Sequence, residues 1–184
     1  GKIIDYIGTE EPKKRYKEER NGKGIILAPG FVNCHGHSAM TLLRGVGSDL
    51  PLDDWLHVMW PVEDRMNEDD LRCGMELAIM EMLSSGTTRF TDMYLMPWAV
   101  ADTIGKSGIK ANFSRVMQAF TEMSDDDYDS YYRVKETNDL IKNYHNSFEE
   151  RLKVDYAIHA EYTCKPTVVR RCSEDCLGHG LRMQ

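Results

Sequence analysis

The 184-residue sequence contains no apolar run long enough to cross a bilayer, and its mean hydropathy is -0.51. A membrane-spanning helix needs about 20 mostly apolar residues in succession. Six prolines and fourteen glycines are too few for a collagen-like or broadly disordered chain. Basic residues are in the minority, 23 Lys and Arg against 30 Asp and Glu, for a formal charge of -7. An acidic chain is a poor partner for polyanions, so no nucleic acid is expected. The basic run Lys13-Lys14-Arg15-Tyr16-Lys17 lacks alternating aromatics and runs directly into Glu18 and Glu19, so it reads as a solvated loop. No secretory apolar segment follows the first residues. The five cysteines (Cys34, Cys73, Cys164, Cys172 and Cys176) are odd in number, which reads as reduced thiols in the cytoplasm. The sequence starts at Gly1 rather than Met, which points to an upstream piece outside it.

What is present is a length suited to one core and an apolar share of 41%. Lys2 to Gly8 reads as a short strand. Ile25-Ile26-Leu27 and Phe31-Val32 read as two strands split by Pro29-Gly30. Pro51 opens a helix that Pro61 stops. Asn67 is a good N-cap, with acids at 68–70 in the first turn. Leu71, Met75, Ala78 and Met82 then mark one helical face, and Gly86 ends it. Strands are expected over 87–94, 111–117 and 154–158, and helices from Pro97, over 131–144 and from Pro166. Asp125, Asp126, Asp127 and Asp129 read as an acidic surface loop, and Leu181 to Gln184 as the start of one more strand. Strands and helices thus alternate through four units and the beginning of a fifth, which argues for a parallel sheet with crossover helices. Either an open doubly wound sheet or part of an eight-unit barrel satisfies this order. A complete barrel needs about 250 residues. No Gly-x-Gly-x-x-Gly follows the first strand, which disfavours the doubly wound nucleotide binder.

The chemistry concentrates at His35-Gly36-His37, directly after Phe31-Val32-Asn33-Cys34. Residues two apart on a strand point the same way, so the two imidazoles can grip one divalent metal through neutral nitrogens. Alternatively they are incidental polar residues at a strand end. Two ligands do not complete a catalytic zinc site, which takes three protein ligands and an open position.

The stretch Pro29 to Gly45, read as PGFVNCHGHSAMTLLRG, resembles the first-strand signature of the amidohydrolase superfamily. Leu50-Pro51-Leu52 with Trp55-Leu56, Trp60-Pro61-Val62-Glu63, Ser85 to Tyr94 and His159-Ala160-Glu161-Tyr162-Thr163-Cys164 are similar to its 5-methylthioadenosine/S-adenosylhomocysteine deaminase group. The resemblance runs from about Ile25 to Gln184. It implies an α/β fold, an incomplete (β/α)8 barrel of TIM type over 29–184, with residues 1–28 as the remnant of a small β-sandwich. It also implies a divalent metal, zinc as a rule, whose bound water displaces ammonia from C6 of an adenine ring. His35 and His37 match the first-strand metal ligands. Glu63 matches the acid that takes the ribose hydroxyls, and His159 a substrate-contacting histidine. Arg115 and Arg133 match two arginines facing the amino-acid carboxylate of S-adenosylhomocysteine.

The family's fifth strand supplies a His-x-x-Glu with a third ligand and the proton-shuttling acid, and later strands supply a further histidine and an aspartate. None of these four occurs here, so the shuttle acid is expected beyond Gln184. The chain reads as the first half of a longer enzyme, inactive alone, that acts on a small-molecule nucleoside. An unclosed half-barrel is expected to pair with a second copy or with its missing half.

The residue types suit these roles. A vicinal diol can donate two hydrogen bonds to Glu63, and guanidinium forks match a carboxylate. Each also has a plainer reading: Glu63 as a solvated helix-end acid, Arg133 as an exposed helix residue, His159 as a hydrogen-bonded core histidine. Asp92 could be a strand-end site residue but reads more simply as a hydrogen-bonding support for loops, and His57 and His145 as surface residues. Cys172, Cys176 and His179 could approach one another at helical spacing like a small zinc cluster, or be core residues. The enzymatic rivals are hydrolysis of guanine or of a chlorotriazine, and the non-enzymatic one is a half-barrel scaffold.

Overall fold

The computed structural model describes residues 3–184. Five strand segments form a parallel sheet: β1 (Phe31–Asn33), β2 (Thr87–Tyr94), β3 (Lys110–Met117), β4 (Leu152–Val154) and β5 (Ala157–Ile158). The order is β1-β2-β3-β4, with β5 also on β3. β4 lies along Ala111–Phe113 and β5 along Val116–Met117, so they are two halves of one strand position interrupted at Asp155 and Tyr156. The expected strand over 154–158 is therefore longer and broken. The stretch after Gly180 does begin another strand position: Met183 bridges Tyr156 in parallel, and the Tyr156 amide donates to the Arg182 carbonyl at 2.8 Å.

The crossovers are helical. They comprise α1 (Leu52–Glu63), α2 (Glu68–Ser84), α3 (Pro97–Ser107), α4 (Asp125–Ser130), α5 (Tyr132–Tyr144), the single turn α6 (Ser147–Glu150) and α7 (Pro166–Gly178). Asn67 caps α2 as expected. Its side chain accepts from the Asp69 and Asp70 amides while Asp70 accepts from the Asn67 amide, a reciprocal capping box. The acidic run at 125–129 is not a loop but the start of α4. Ser124 accepts from the Asp127 amide and Asp127 from Ser124, and carboxylates in a first turn are favoured by the helix dipole.

Strand alternation gives the sheet two unlike faces. Phe90, Ala111, Phe113, Leu152 and Val154 face α2, α3 and α5 and build the larger core. The opposite face carries only Met93, Val116 and Ala157 as an apolar cluster. It is otherwise polar: Asn112 donates to Asp155 at 2.6 Å and Gln184 donates to Ser114 at 2.9 Å. A second core, with Met117, Tyr128, Tyr156 and Val168, lies under α4 and α7.

The expected strands over 3–8 and 25–27 are not formed; Lys2 lies outside the described residues. Ile25, Ile26 and Leu27 are 70%, 91% and 98% exposed. A strand needs a hydrogen-bonding edge, and among the described residues no neighbour offers one to this segment.

The first turn after β1 is a 3-10 helix, Ser38–Leu43, packed against α2. Gly74 makes that contact possible, because a Cβ there would press into the Ala39 carbonyl, which is backbone and cannot swing aside. Gly74→Ala is therefore expected to destabilise the protein by about 1–3 kcal/mol in urea denaturation. Gly178→Ala, where a Cβ meets open space, is expected to be neutral or slightly stabilising.

Candidate active site

The carboxyl ends of the parallel strands share one cavity of about 270 Å³, lined by residues from β2, β3, α1 and α5 and the segments after β1 and β5. Enzyme sites in α/β barrels occupy this end of the strands. A wider groove of about 810 Å³ runs between α2 and α3 on the outer side, but no histidine or cysteine lines it.

After β1 the chain turns through His35, Gly36 and His37. The His35 amide donates to the Asn33 side chain at 3.3 Å, and the Gly36 carbonyl accepts from the Met93 amide at 3.2 Å. The two imidazoles lie 4.9 Å apart, edge to face. Nδ1 of His37 is 2.7 Å from the Met93 carbonyl oxygen. A carbonyl only accepts, so Nδ1 carries a proton, and Nε2 is the nitrogen that holds the lone pair in the neutral ring. His35 is exposed, yet its partial desolvation, and then His37, hold it below the ordinary imidazole range. Both effects favour the neutral form a metal ligand requires.

The turn is anchored from β2. Oδ1 of Asp92 accepts from the Ser38 amide at 2.6 Å and from its hydroxyl at 2.8 Å. Burial pushes the Asp92 carboxyl up to about 6, against the pull of these two donors. Asp92 is thus the loop support its position suggested.

His159 follows β5, and its ring lies 6.3 Å from that of His37. Its Nδ1 is 3.0 Å from the Thr163 hydroxyl, which spends its own proton on the Ala160 carbonyl at 3.1 Å. Nδ1 therefore donates, and Nε2 is left unprotonated. Burial first, then His37, Arg133 and His35, lower its pKa. Glu63, the last residue of α1, also lines the cavity, and its Oε1 accepts from the Tyr94 hydroxyl at 2.7 Å.

The two arginines part company. Arg133 is half-buried on α5 and lines the cavity, donating to the Val116 carbonyl at 2.8 Å and the Tyr132 hydroxyl at 2.9 Å. Arg115 does not line it. Because Val116 takes the cavity side of β3, Arg115 takes the opposite side, where it is 5% exposed and paired with Glu136 on α5 at 2.6 Å. The expected pair of guanidinium groups around one carboxylate is not assembled.

His57 is exposed, but His145 is half-buried and bonds through Nδ1 to the backbone of Val154 at 3.1 Å, a structural role the sequence reading missed. Cys172 and Cys176 are core residues, and burial pushes the Cys172 thiol up to about 12, far from the thiolate a metal binds. Among the described residues no three His, Cys, Asp or Glu side chains gather closely enough to hold an ion by themselves. No helix among them is long and apolar enough to cross a membrane.

The parallel strands carry a cleft with imidazoles at their carboxyl ends, the place a site takes in an α/β barrel. The chain belongs to the amidohydrolase family, whose model matches residues 26–184. It is 40% identical over 159 residues to a 5-methylthioadenosine/S-adenosylhomocysteine deaminase of Desulforamulus reducens, covering 86% of this chain and 35% of that protein. Among solved structures, an adenosine deaminase from Xanthomonas campestris with bound zinc superposes with a TM-score of 0.70 and 32% identity, covering 84% of this chain and 35% of the other. A guanine deaminase from C. acetobutylicum superposes at 0.72 with 21% identity, covering 85% and 38%, and shows the fold alone. The chain thus spans well under half the length of these proteins.

Asp92 ties the histidine turn to the sheet, and this bears directly on stability. Asp92→Ala strands the buried Ser38 amide without an acceptor and is expected to cost about 2–3 kcal/mol. Asp92→Asn retains an acceptor oxygen and should cost less. Urea midpoints of the two variants against the unsubstituted protein provide the measurement.

Proposed function

We propose that this chain forms the first part of the site of a metal-dependent amidohydrolase that removes the 6-amino group of a purine nucleoside by hydrolysis. The observation that carries the reading is the meeting of His37, Glu63, Arg133 and His159 in one cavity, with His35 beside His37. The donor set fits a divalent metal, zinc by analogy with the Xanthomonas enzyme: two imidazoles side by side, one with its free nitrogen fixed by the Met93 carbonyl. His35 and His37 would hold it, and once bound it supplies a water that ionises near neutral pH. A catalytic zinc takes at least three protein ligands, so the remaining ones would come from the share of the barrel that the relatives carry outside the matched region.

The chain's own residues divide the rest of the work. Glu63 accepts hydrogen bonds from the ribose hydroxyls. His159 presents its unprotonated Nε2 toward the substrate. Trp55, Leu56 and Trp60 give the cavity an apolar wall suited to a base or a thioether. Among the described residues one guanidinium, Arg133, lines the cavity, an arrangement that suits 5-methylthioadenosine better than S-adenosylhomocysteine, whose carboxylate would be met here by one fork rather than two. The outer edge of β1 is open, with Phe31 69% and Val32 54% exposed, which supports closure by the rest of the barrel or by another copy.

The test is ammonia release by the full-length protein supplied with 5-methylthioadenosine, S-adenosylhomocysteine, guanine and a chlorotriazine. Turnover of the two nucleosides is expected, and turnover of guanine or the triazine alone would overturn the reading. Replacing His35 or His37 by Ala should remove bound metal, read by elemental analysis, and lower kcat by at least about 100-fold. A full-length protein that retains stoichiometric metal in both variants would show that these imidazoles are not ligands.

A further inference from the structure

We propose that Tyr94 is the positioning residue of Glu63: its hydroxyl clamps one carboxylate oxygen and leaves the other free for the ribose hydroxyls. This rests on the nucleoside reading above. Glu63 ends a helix that reaches the site from a long excursion after β1, and no other side chain is hydrogen-bonded to its carboxylate among the described residues. Tyr94 ends β2, packs in the main core and is 6% exposed. Its ring is therefore fixed by the sheet, and the 2.7 Å bond transfers that fixity to a carboxylate on a less constrained segment. The sulfur of Met66 lies 3.8 Å from the same hydroxyl, but a phenol has one proton and the carboxylate is the better acceptor. Burial first, and then Glu63, raise the Tyr94 pKa above the ordinary phenol value, so the donor keeps its proton.

The same tyrosine stands beside the histidine pair, with its ring 6.2 Å from His37. Tyr94 therefore stands between the group that would meet the sugar, which it holds by a hydrogen bond, and a group that would meet the metal, which the Met93 carbonyl holds. The carboxylate geometry, and with it hydroxyl recognition, depends on a side chain that need not touch substrate.

Tyr94→Phe in the full-length protein removes the hydroxyl and little else. For 5-methylthioadenosine KM is expected to rise about tenfold, more than kcat falls, whereas for its 2',3'-dideoxy analogue KM should rise less than twofold. Equal losses on both substrates would mark Tyr94 as merely structural and overturn the proposal. Crystal structures of the full-length protein with and without the substitution give a readout independent of turnover. The Glu63 carboxylate should leave its place in the variant, and an unmoved carboxylate would also overturn the proposal. If the unsubstituted protein deaminates no nucleoside, the functional reading fails while the crystal comparison still decides whether Tyr94 holds Glu63.

Discussion

One buried carboxylate oxygen joins the first strand's turn to the second strand. Asp92 accepts two hydrogen bonds from Ser38, the residue after His37, and so fixes where the paired imidazoles stop and the 3-10 helix begins. A buried carboxylate is costly unless its oxygens are satisfied. Ser38 satisfies one of them across 54 positions of sequence. The neighbouring Met93 contributes backbone on both sides of the same joint, its carbonyl accepting from His37 Nδ1 and its amide donating to the Gly36 carbonyl. Remove this joint and the direction of the His37 lone pair is no longer defined, nor its distance to His159.

Much of the architecture was legible because it depends on local rules. Pro97 and Pro166 open their helices as the ring geometry requires. Gly86 ends the second helical segment with φ of 87°. The alternation of strand and helix announced a parallel sheet. The errors came where a second element decides the outcome. Ile25-Ile26-Leu27 has the composition of a strand but no edge to pair with. The acidic run at 125–129 looked like solvated coil, although Ser124 three residues before Asp127 was a capping signal that could have been read. Asp155 and Tyr156 break a strand that composition alone would make continuous.

The site was legible in part for the same reason. His35 and His37 are separated in sequence by Gly36 alone and so stay neighbours in space. His159 and Glu63 arrive from distant segments, and it was the family resemblance, rather than spacing, that suggested them. Arg115 exposes the limit of matching by position. One step along a strand reverses the face, and the neighbour Val116 already holds the cavity side. Tyr94 and Thr163 were missed because neither residue type announces a role. Each matters through the single hydrogen bond it gives or takes from another side chain.

The polar inner face of the sheet has a consequence for how such a protein can diversify. Most of the apolar burial lies on the helix side, while the lumen holds small or amide side chains such as Asn112, Ser114 and Gln184. Cohesion and chemistry are thereby assigned to opposite surfaces of the same strands. A side chain on this face without a buried partner can therefore change without touching the helix-side core, whereas Asn112 and Asp155, bonded to each other out of solvent, have to change together.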